Sequence, residues 1–239
     1  MKKILYVTTV SRTINAFLVP HIEMLIKEGH KVDCACSIDH ELDEAIQNKC
    51  ENIYSLSFSR NPLDPNNLKS YKMLLEIQKK NNYDIVHVHT PIAALYGRLL
   101  KLKFPNIKTI YTVHGFHFHK GASKINWMLY YPIEKIMSMF TDVIITMNEE
   151  DYNRALTFNI DKVYKVNGVG LNLDSYKSTE DDYIECRKEL GLKEDDFVIG
   201  MIAEVNKNKN HKQIIDAIEH LNNRNIKIIC EGEGDLLDR

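Results

Sequence analysis

The sequence predicts an α/β protein built on a doubly wound parallel sheet, followed by the start of a second unit of the same kind. Three observations carry this expectation. Short apolar, β-branched segments alternate with segments whose apolar residues recur at helical spacing, the pattern of a parallel sheet covered by helices. The strand segments are near-continuous apolar runs, as strands buried on both faces require. The alternation stops once, at "GVGLNLDSYKSTEDD", and then restarts.

Taken in order, "KILYVTT" is the first strand. The opening "MKKILYVTTV" is read as this strand and not as a signal peptide, because its apolar run is too short for an h-region or a membrane span. "FLVPHIEMLIKEG" follows as a helix that stops at Gly29, a C′ glycine. "HKVDCACS" and "ENIYSLSF" are the second and third strands. Two prolines precede the helix in "NPLDPNNLKSYKMLLEIQKKNN", where Leu68, Tyr71, Leu74, Leu75 and Ile77 make an apolar stripe. "YDIVHVHT" is a fourth strand, "PIAALYGRLLKLKF" a helix with Pro91 in its first turn, and "IKTIYTVH" a fifth strand. The helix in "INWMLYYPIEKIMSMF" is expected to kink or split at Pro132. "TDVIITMN" (strand), "EEDYNRALTF" (helix) and "DKVYKVN" (strand) complete the first unit. Beyond the break come helix "YIECRKELG", strand "DFVIGMIA", helix "KNHKQIIDAIEHLNN" and strand "IKIICEG", with "EGDLLDR" opening another helix. The resulting division is a domain over 1–169, a linker over 170–182 and a partial domain over 183–239.

Composition narrows the function. With 31 basic and 33 acidic side chains in 239 residues, the chain lacks the basic excess of a nucleic-acid binder. Five scattered cysteines, with Cys34 and Cys36 in a "CAC" that is neither a zinc nor a redox spacing, suit a reducing, cytoplasmic compartment. The turn after the first strand, "TTVSRTINAFLVP", contains no glycine, which argues against a dinucleotide-binding dehydrogenase. It still lies at the carboxyl end of a central strand, where open α/β sheets bind ligands. Ser11, Arg12 and Asn15 there are read either as donors to an anion or sugar hydroxyl, or as ordinary loop and cap polarity. His87 and His89 share one face of their strand. His87 is read as a satisfied core histidine. His89, at the carboxyl end, is read as a cleft residue or a buried structural one. "TVHGFHFHKG" brings His114, His117 and His119 together. Its H-x-x-H-x-H spacing has no cysteine or carboxylate close by, so a metal site is disfavoured. His117 and His119 are read as loop residues alternating with inward Phe116 and Phe118. His114 ends a strand beside Gly115, where a ligand approaches closely.

The run "YTVHGFHFHKGASKINWMLYYPIEKIMSMFTDVIITMNEEDYNRA", with "GVGLNLDSY" and "EVNKNKNHKQIIDAI", resembles bacterial family 4 glycosyltransferases of the exopolysaccharide and capsular-polysaccharide type. The resemblance implies the GT-B fold, two Rossmann-like domains facing across a cleft. The N-terminal domain then binds the acceptor and the C-terminal domain the nucleotide-sugar donor. It also implies retention of anomeric configuration and no metal or other cofactor. His114 matches the histidine that contacts the reacting sugar, and Ser11 to Asn15 match a loop near the donor diphosphate and acceptor. His89, Gly115 and His117 join that substrate-binding set. "AEVNKNKN" matches a Gly-Arg-Leu-x-x-x-Lys-Gly region that holds the donor diphosphate. Lys209 falls on its lysine. Glu204 stands where the arginine often is, with Asn206, Lys207 and Asn210 as the compensating groups. The family's pair of donor-binding glutamates does not follow "GEGDLLDR", so an incomplete donor domain is expected. The implied function is transfer from a UDP-sugar to a lipid-linked saccharide in surface polysaccharide biosynthesis, by a cytoplasmic protein peripheral on the inner face of the membrane. The alternatives are a truncated, non-catalytic acceptor-binding half or partner subunit and, more distantly, a nucleotide-sugar isomerase.

Overall fold

The computed structural model describes residues 1–170, 173, 177–221, 225–234 and 236. The chain divides into two compact units, 1–171 and 172–239.

In the first unit β1 (Lys3–Val10) runs into α1 (Ser11–Thr13), a π-helical stretch (Ile14–Leu18) and α2 (Val19–Lys27). Then come β2 (Lys31–Ser37), α3 (Glu44–Lys49), β3 (Ile53–Ser55), α4 (Pro65–Asn81), β4 (Ile85–His89), α5 (Pro91–Leu99), β5 (Lys108–Val113), α6 (Lys124–Met137), β6 (Val143–Thr146), α7 (Glu149–Ala155) and β7 (Lys162–Lys165). The strands form one seven-stranded sheet in the order β3-β2-β1-β4-β5-β6-β7, with every pairing parallel. The order reverses between β1 and β4, and the carboxyl ends of those two strands border the crevice such sheets use for ligands.

Alternate residues of each strand feed two cores. Leu5 and Val7 of β1, with Val86 and Val88 of β4, pack against Leu74 of α4, Ala93 and Ala94 of α5 and Ala155 of α7. Ile4 and Tyr6 of β1, with Cys34 and Cys36 of β2, meet Ile14, Leu18, Ile22 and the Ile46 of α3.

Three features differ from the sequence reading. α3 was not expected: it is six residues long with one buried side chain, too short to show a period, and Asp43 caps it by accepting from Ala45 N at 2.8 Å. β3 is shorter than "ENIYSLSF", because after Ser55 the chain turns away and Asn67 and Ser70 of α4 take the amides of Ser59 and Ser57. α6 does not split at Pro132 but runs through it as one helix. The proline takes a donor from the Met128 carbonyl, but both residues lie on the exposed face, where water replaces it.

The second unit contains α8 (Glu180–Glu189), β8 (Phe197–Ile202), α9 (His211–Leu221) and β9 (Ile226–Glu231), with β8 and β9 paired in parallel. α8 starts inside the expected linker, because Thr179 and Asp182 form a reciprocal capping box. Of that linker, residues 171, 172 and 174–176 lie outside the described ones, as do 235 and 237–239 of "EGDLLDR".

Candidate active site

A cavity of about 320 Å³ opens where β1 and β4 diverge. Thr9 lines it from the end of β1, Thr13 from the first crossover, Thr90 from the end of β4, Arg60 from the loop before α4, and His117 and Tyr130 from the far side. β1 is irregular here: its register with β2 shifts between Val7 and Val10. Thr90 has φ +64, a conformation β-branched residues rarely adopt. Hydrogen bonds hold it there. Its hydroxyl accepts from Thr9 N at 3.0 Å, lies 2.7 Å from the Thr9 hydroxyl and donates to the His89 carbonyl. Such a conformation persists only where its surroundings over-determine it, as these hydrogen bonds do. The result is a pocket in which hydroxyls, one guanidinium and one imidazole stand among the apolar side chains of Val10, Pro62, Pro91 and Ile92, a mixture that suits a sugar ring with its hydroxyls.

The other face of the sheet carries a histidine chain. His87 Nε2 lies 2.8 Å from the Thr112 hydroxyl, and His89 Nδ1 lies 3.1 Å from His114 Nε2. Tyr6 stacks on His89 with ring centroids 5.6 Å apart, and Phe17 lies 5.6 Å from His114. All three histidines line a second, mostly apolar cavity of about 450 Å³. Burial pushes His87 down to about 3, reinforced by His21 and His114. Burial first, then its neighbours, hold His89 well below the ordinary histidine value, and burial lowers His114. The chain is therefore neutral at pH 7, and each contact pairs one N–H with one lone pair. His89 is buried and its Nε2 has no hydrogen-bond partner among the described residues. His114 is exposed, at the carboxyl end of β5.

The loop after His114 is pinned. Gly115 has φ +145, which a β-carbon would strain although the space beside it is empty. Phe116 and Phe118 are buried and stacked at 4.7 Å, while His117 and His119 are exposed. The buried Asp151 carboxylate accepts from Phe116 N, and Trp127 Nε1 donates to the His119 carbonyl at 3.1 Å. His117 rests on Tyr130 with centroids 4.7 Å apart. Among the described residues no cluster of three or more metal-ligating side chains occurs.

Ser11, Arg12 and Asn15 are placed differently from the donor role expected of them. Ser11 is buried, donates to Asp39 and lies 2.7 Å from the His40 carbonyl. Arg12 Nε pairs with Asp39 at 2.8 Å, and Asn15 donates to the Glu41 carbonyl and accepts from Asp43 N. Burial pushes the Asp39 carboxyl up, but hydrogen bonds from Ser11 and Arg12 outweigh it and hold it at about 2. These side chains tie the first crossover to the loop after β2, and Thr9 at the end of β1 and Thr13 of the crossover reach the cavity. In the second unit Asn206 Oδ1 accepts from Lys209 N at 3.0 Å, and Asn210, at φ +51, donates to Gln213 just ahead of α9. Glu204, Lys209 and Asn210 are exposed. Thr13 falls within the expected Ser11 to Asn15 loop, whereas the cavity residues Thr9, Arg60, Thr90 and Tyr130 escaped the sequence reading. The one signal for them was Thr90-Pro91 directly after a strand.

Residues 3–148 match the family described as "Glycosyl transferase 4-like". The chain belongs to that family. A Bacillus subtilis (strain 168) protein named "Putative glycosyltransferase EpsD" is 37% identical over 98% of the chain, which spans 62% of EpsD. An Escherichia coli protein named "UDP-Gal:alpha-D-GlcNAc-diphosphoundecaprenol alpha-1,3-galactosyltransferase" is 25% identical over 90% of the chain and 57% of its own length. The chain thus spans about three fifths of these relatives. The crystal structure of Anabaena Alr3699/HepE in complex with UDP and glucose superposes with a TM-score of 0.72 at 15% identity, covering 99% of this chain and 62% of that one. The fold is of the GT-B class.

Proposed function

We propose that the protein is a retaining hexosyltransferase that moves a sugar from a UDP-sugar to a lipid-linked saccharide during surface polysaccharide synthesis. What carries the reading is the hydroxyl- and guanidinium-lined cavity at the switch point, in a chain of this family. The names of the Escherichia coli relative and of the Anabaena complex supply the donor and acceptor classes.

Cleaving a sugar–diphosphate bond builds charge on the leaving group and an oxocarbenium-like sugar. The acceptor saccharide occupies the cavity, with Thr9, Thr13 and Thr90 meeting its hydroxyls and Arg60 an anionic group. His114, held by His89, contacts the reacting sugar as a neutral imidazole. The turn Glu204–Asn210 takes the donor diphosphate, with Lys209 and the N-terminus of α9 supplying positive charge. An acceptor anchored in lipid places the work at the inner membrane surface, as a peripheral protein.

The test is transfer from UDP-hexoses to a polyprenyl-diphosphate saccharide, with product configuration read by NMR. Retention is expected, together with a loss on the order of 10²-fold in His114→Ala, as for removal of a transition-state contact. Inversion would overturn the stereochemical assignment. Release of an isomerised UDP-sugar without transfer would replace the whole reading.

A further inference from the structure

The two imidazoles at the carboxyl ends of β4 and β5 fix more than the place of His114. His89 is the last residue of β4 and pairs across the sheet with Thr112. His114 stands one residue past the end of β5 and lines the same cavity as Thr112, His87 and His89. His89 is 2% exposed. Its ring stacks on Tyr6 with the planes 15° apart, and the ring of His87 lies 4.5 Å away. The Thr90 hydroxyl donates to its carbonyl. Packed in this way, the ring is held with Nδ1 toward His114 Nε2, at 3.1 Å.

Two arrangements of protons satisfy that contact. In one, His89 Nδ1–H donates to a bare His114 Nε2. In the other, His114 Nε2–H donates to a bare His89 Nδ1, and the proton of His89 sits on its own Nε2. That nitrogen is buried and meets no acceptor among the described residues. For backbone groups, a buried N–H without an acceptor is rarer than a buried acceptor short of a donor. The same preference applied to the imidazole leaves the bare lone pair at His89 Nε2 and the proton at Nδ1. In a neutral histidine, the hydrogen bond made by one ring nitrogen sets the state of the other. The choice made by buried His89 is therefore passed on to exposed His114.

We propose that His89 is a positioning residue for the transfer, donating Nδ1–H to His114 Nε2 and so keeping the proton of His114 on Nδ1. The assignment deepens the reading of His114 as the contact to the reacting sugar, and rests on it. With Nε2 turned to His89, Nδ1 is the nitrogen left for a ligand. Carrying the proton, it meets a sugar oxygen as a donor, and a neutral donor sets no charge against an oxocarbenium-like ring. With the opposite tautomer the same nitrogen would be an acceptor. Loss of His89 frees the His114 ring both to rotate and to move its proton.

The experiment is an NMR spectrum that correlates the isotope-labelled ring nitrogens of histidine with their carbon-bound protons, near pH 7 and without donor or acceptor. Signals are assigned by their loss in His114→Ala and His89→Leu. Both His89 and His114 are expected with the proton on Nδ1 and a bare Nε2, the reverse of the tautomer a free histidine side chain prefers. His89→Leu should return His114 to Nε2–H. It should also lower kcat by about 10- to 100-fold, the range for residues that orient a functional group from behind, with KM for the UDP-hexose little changed. His89→Asn puts an amide N–H where Nδ1–H stood, so it should keep the His114 proton on Nδ1 and recover most of kcat. A protonated Nε2 in wild-type His114 overturns the inference by itself, even where a variant fails to fold. So does a His89→Leu protein that folds by circular dichroism and transfers like the wild type, or a folded His89→Asn protein no better than His89→Leu. If the proton is on Nδ1 but no UDP-hexose is transferred to a polyprenyl-diphosphate saccharide, the hydrogen bond stands and the proposed reaction falls. If transfer occurs with the proton on Nε2, the reaction stands and the role of His89 falls.

Discussion

Arg98 is fully buried between α5, α6 and β5. Its Nε donates to the Ala94 carbonyl at 2.8 Å, its fork meets Glu134 at 2.8 and 3.1 Å, and its plane lies 4.4 Å from the Tyr111 ring. A buried pair of this kind gives little net stability, but removing one partner strands a charge. Glu134→Ala should therefore cost about 3–5 kcal/mol in urea unfolding, and adding Arg98→Met should recover much of that. Full additivity of the two changes would show that the pair is not coupled. Gly115 makes a different demand, on conformation alone. Gly115→Ala forces a β-carbon to φ +145 in open space, so a cost of about 1–3 kcal/mol is expected, with reduced transfer because His114 is the adjoining residue.

Between elements, the contact of α5 with β4 is set by Gly97. A β-carbon there would sit 2.4 Å from Val88 Cγ1, inside the core. Gly97→Ala should destabilise by about 1–3 kcal/mol despite the better helix propensity of alanine, and Gly97→Ala with Val88→Ala should relieve the clash. The histidines of β4 make stability depend on pH. His87 titrates near 3 when folded, so its contribution is complete above the ordinary histidine value and is lost as pH falls from there toward 3. Between pH 7 and 5 the wild type should lose up to about 2 kcal/mol more than His87→Val, measured as a difference in urea unfolding. Equal losses would mean that His87 is hydrated and titrates normally. The long elements were legible in the sequence because burial on one stripe or on both sheet faces leaves a period. α3 left none, with Ile46 its one buried side chain, and whether Pro132 splits α6 depends on which face of the helix it occupies, which its sequence position alone did not tell.

Across the whole molecule, the candidate site was legible only where it follows from chain order. His114 sits at the end of β5 and Gly115 beside it takes the conformation only glycine adopts freely, both readable from "TVHG". The cavity was not, because Thr9, Arg60, Thr90 and Tyr130 come from four segments that the parallel crossovers bring together. Nor was the capture of Ser11, Arg12 and Asn15 by residues 39–43, which are hydrogen bonds spanning 26 to 29 positions.

Burial also differs between the two units. Every buried apolar side chain among the described residues belongs to the first one, and Asp196 is the buried residue of the second. β8 leaves Phe197 66% and Ile202 83% exposed, although its near-continuous apolar sequence is that of a strand covered on both faces. In a polypeptide of these 239 residues, a two-stranded sheet with so little cover opens easily, because few apolar contacts are lost when its hydrogen bonds break. The amides of β8 and β9 should therefore exchange with deuterium roughly a thousandfold faster than those of β1 and β4, a gap of about 4 kcal/mol in opening free energy. Thermal unfolding should show a low-temperature step that leaves the signal of the single tryptophan, Trp127, unchanged, because that residue packs in the first unit. Equal protection in β8 and β4, or one transition carrying both signals, would mean that the second unit draws stability from outside its own contacts.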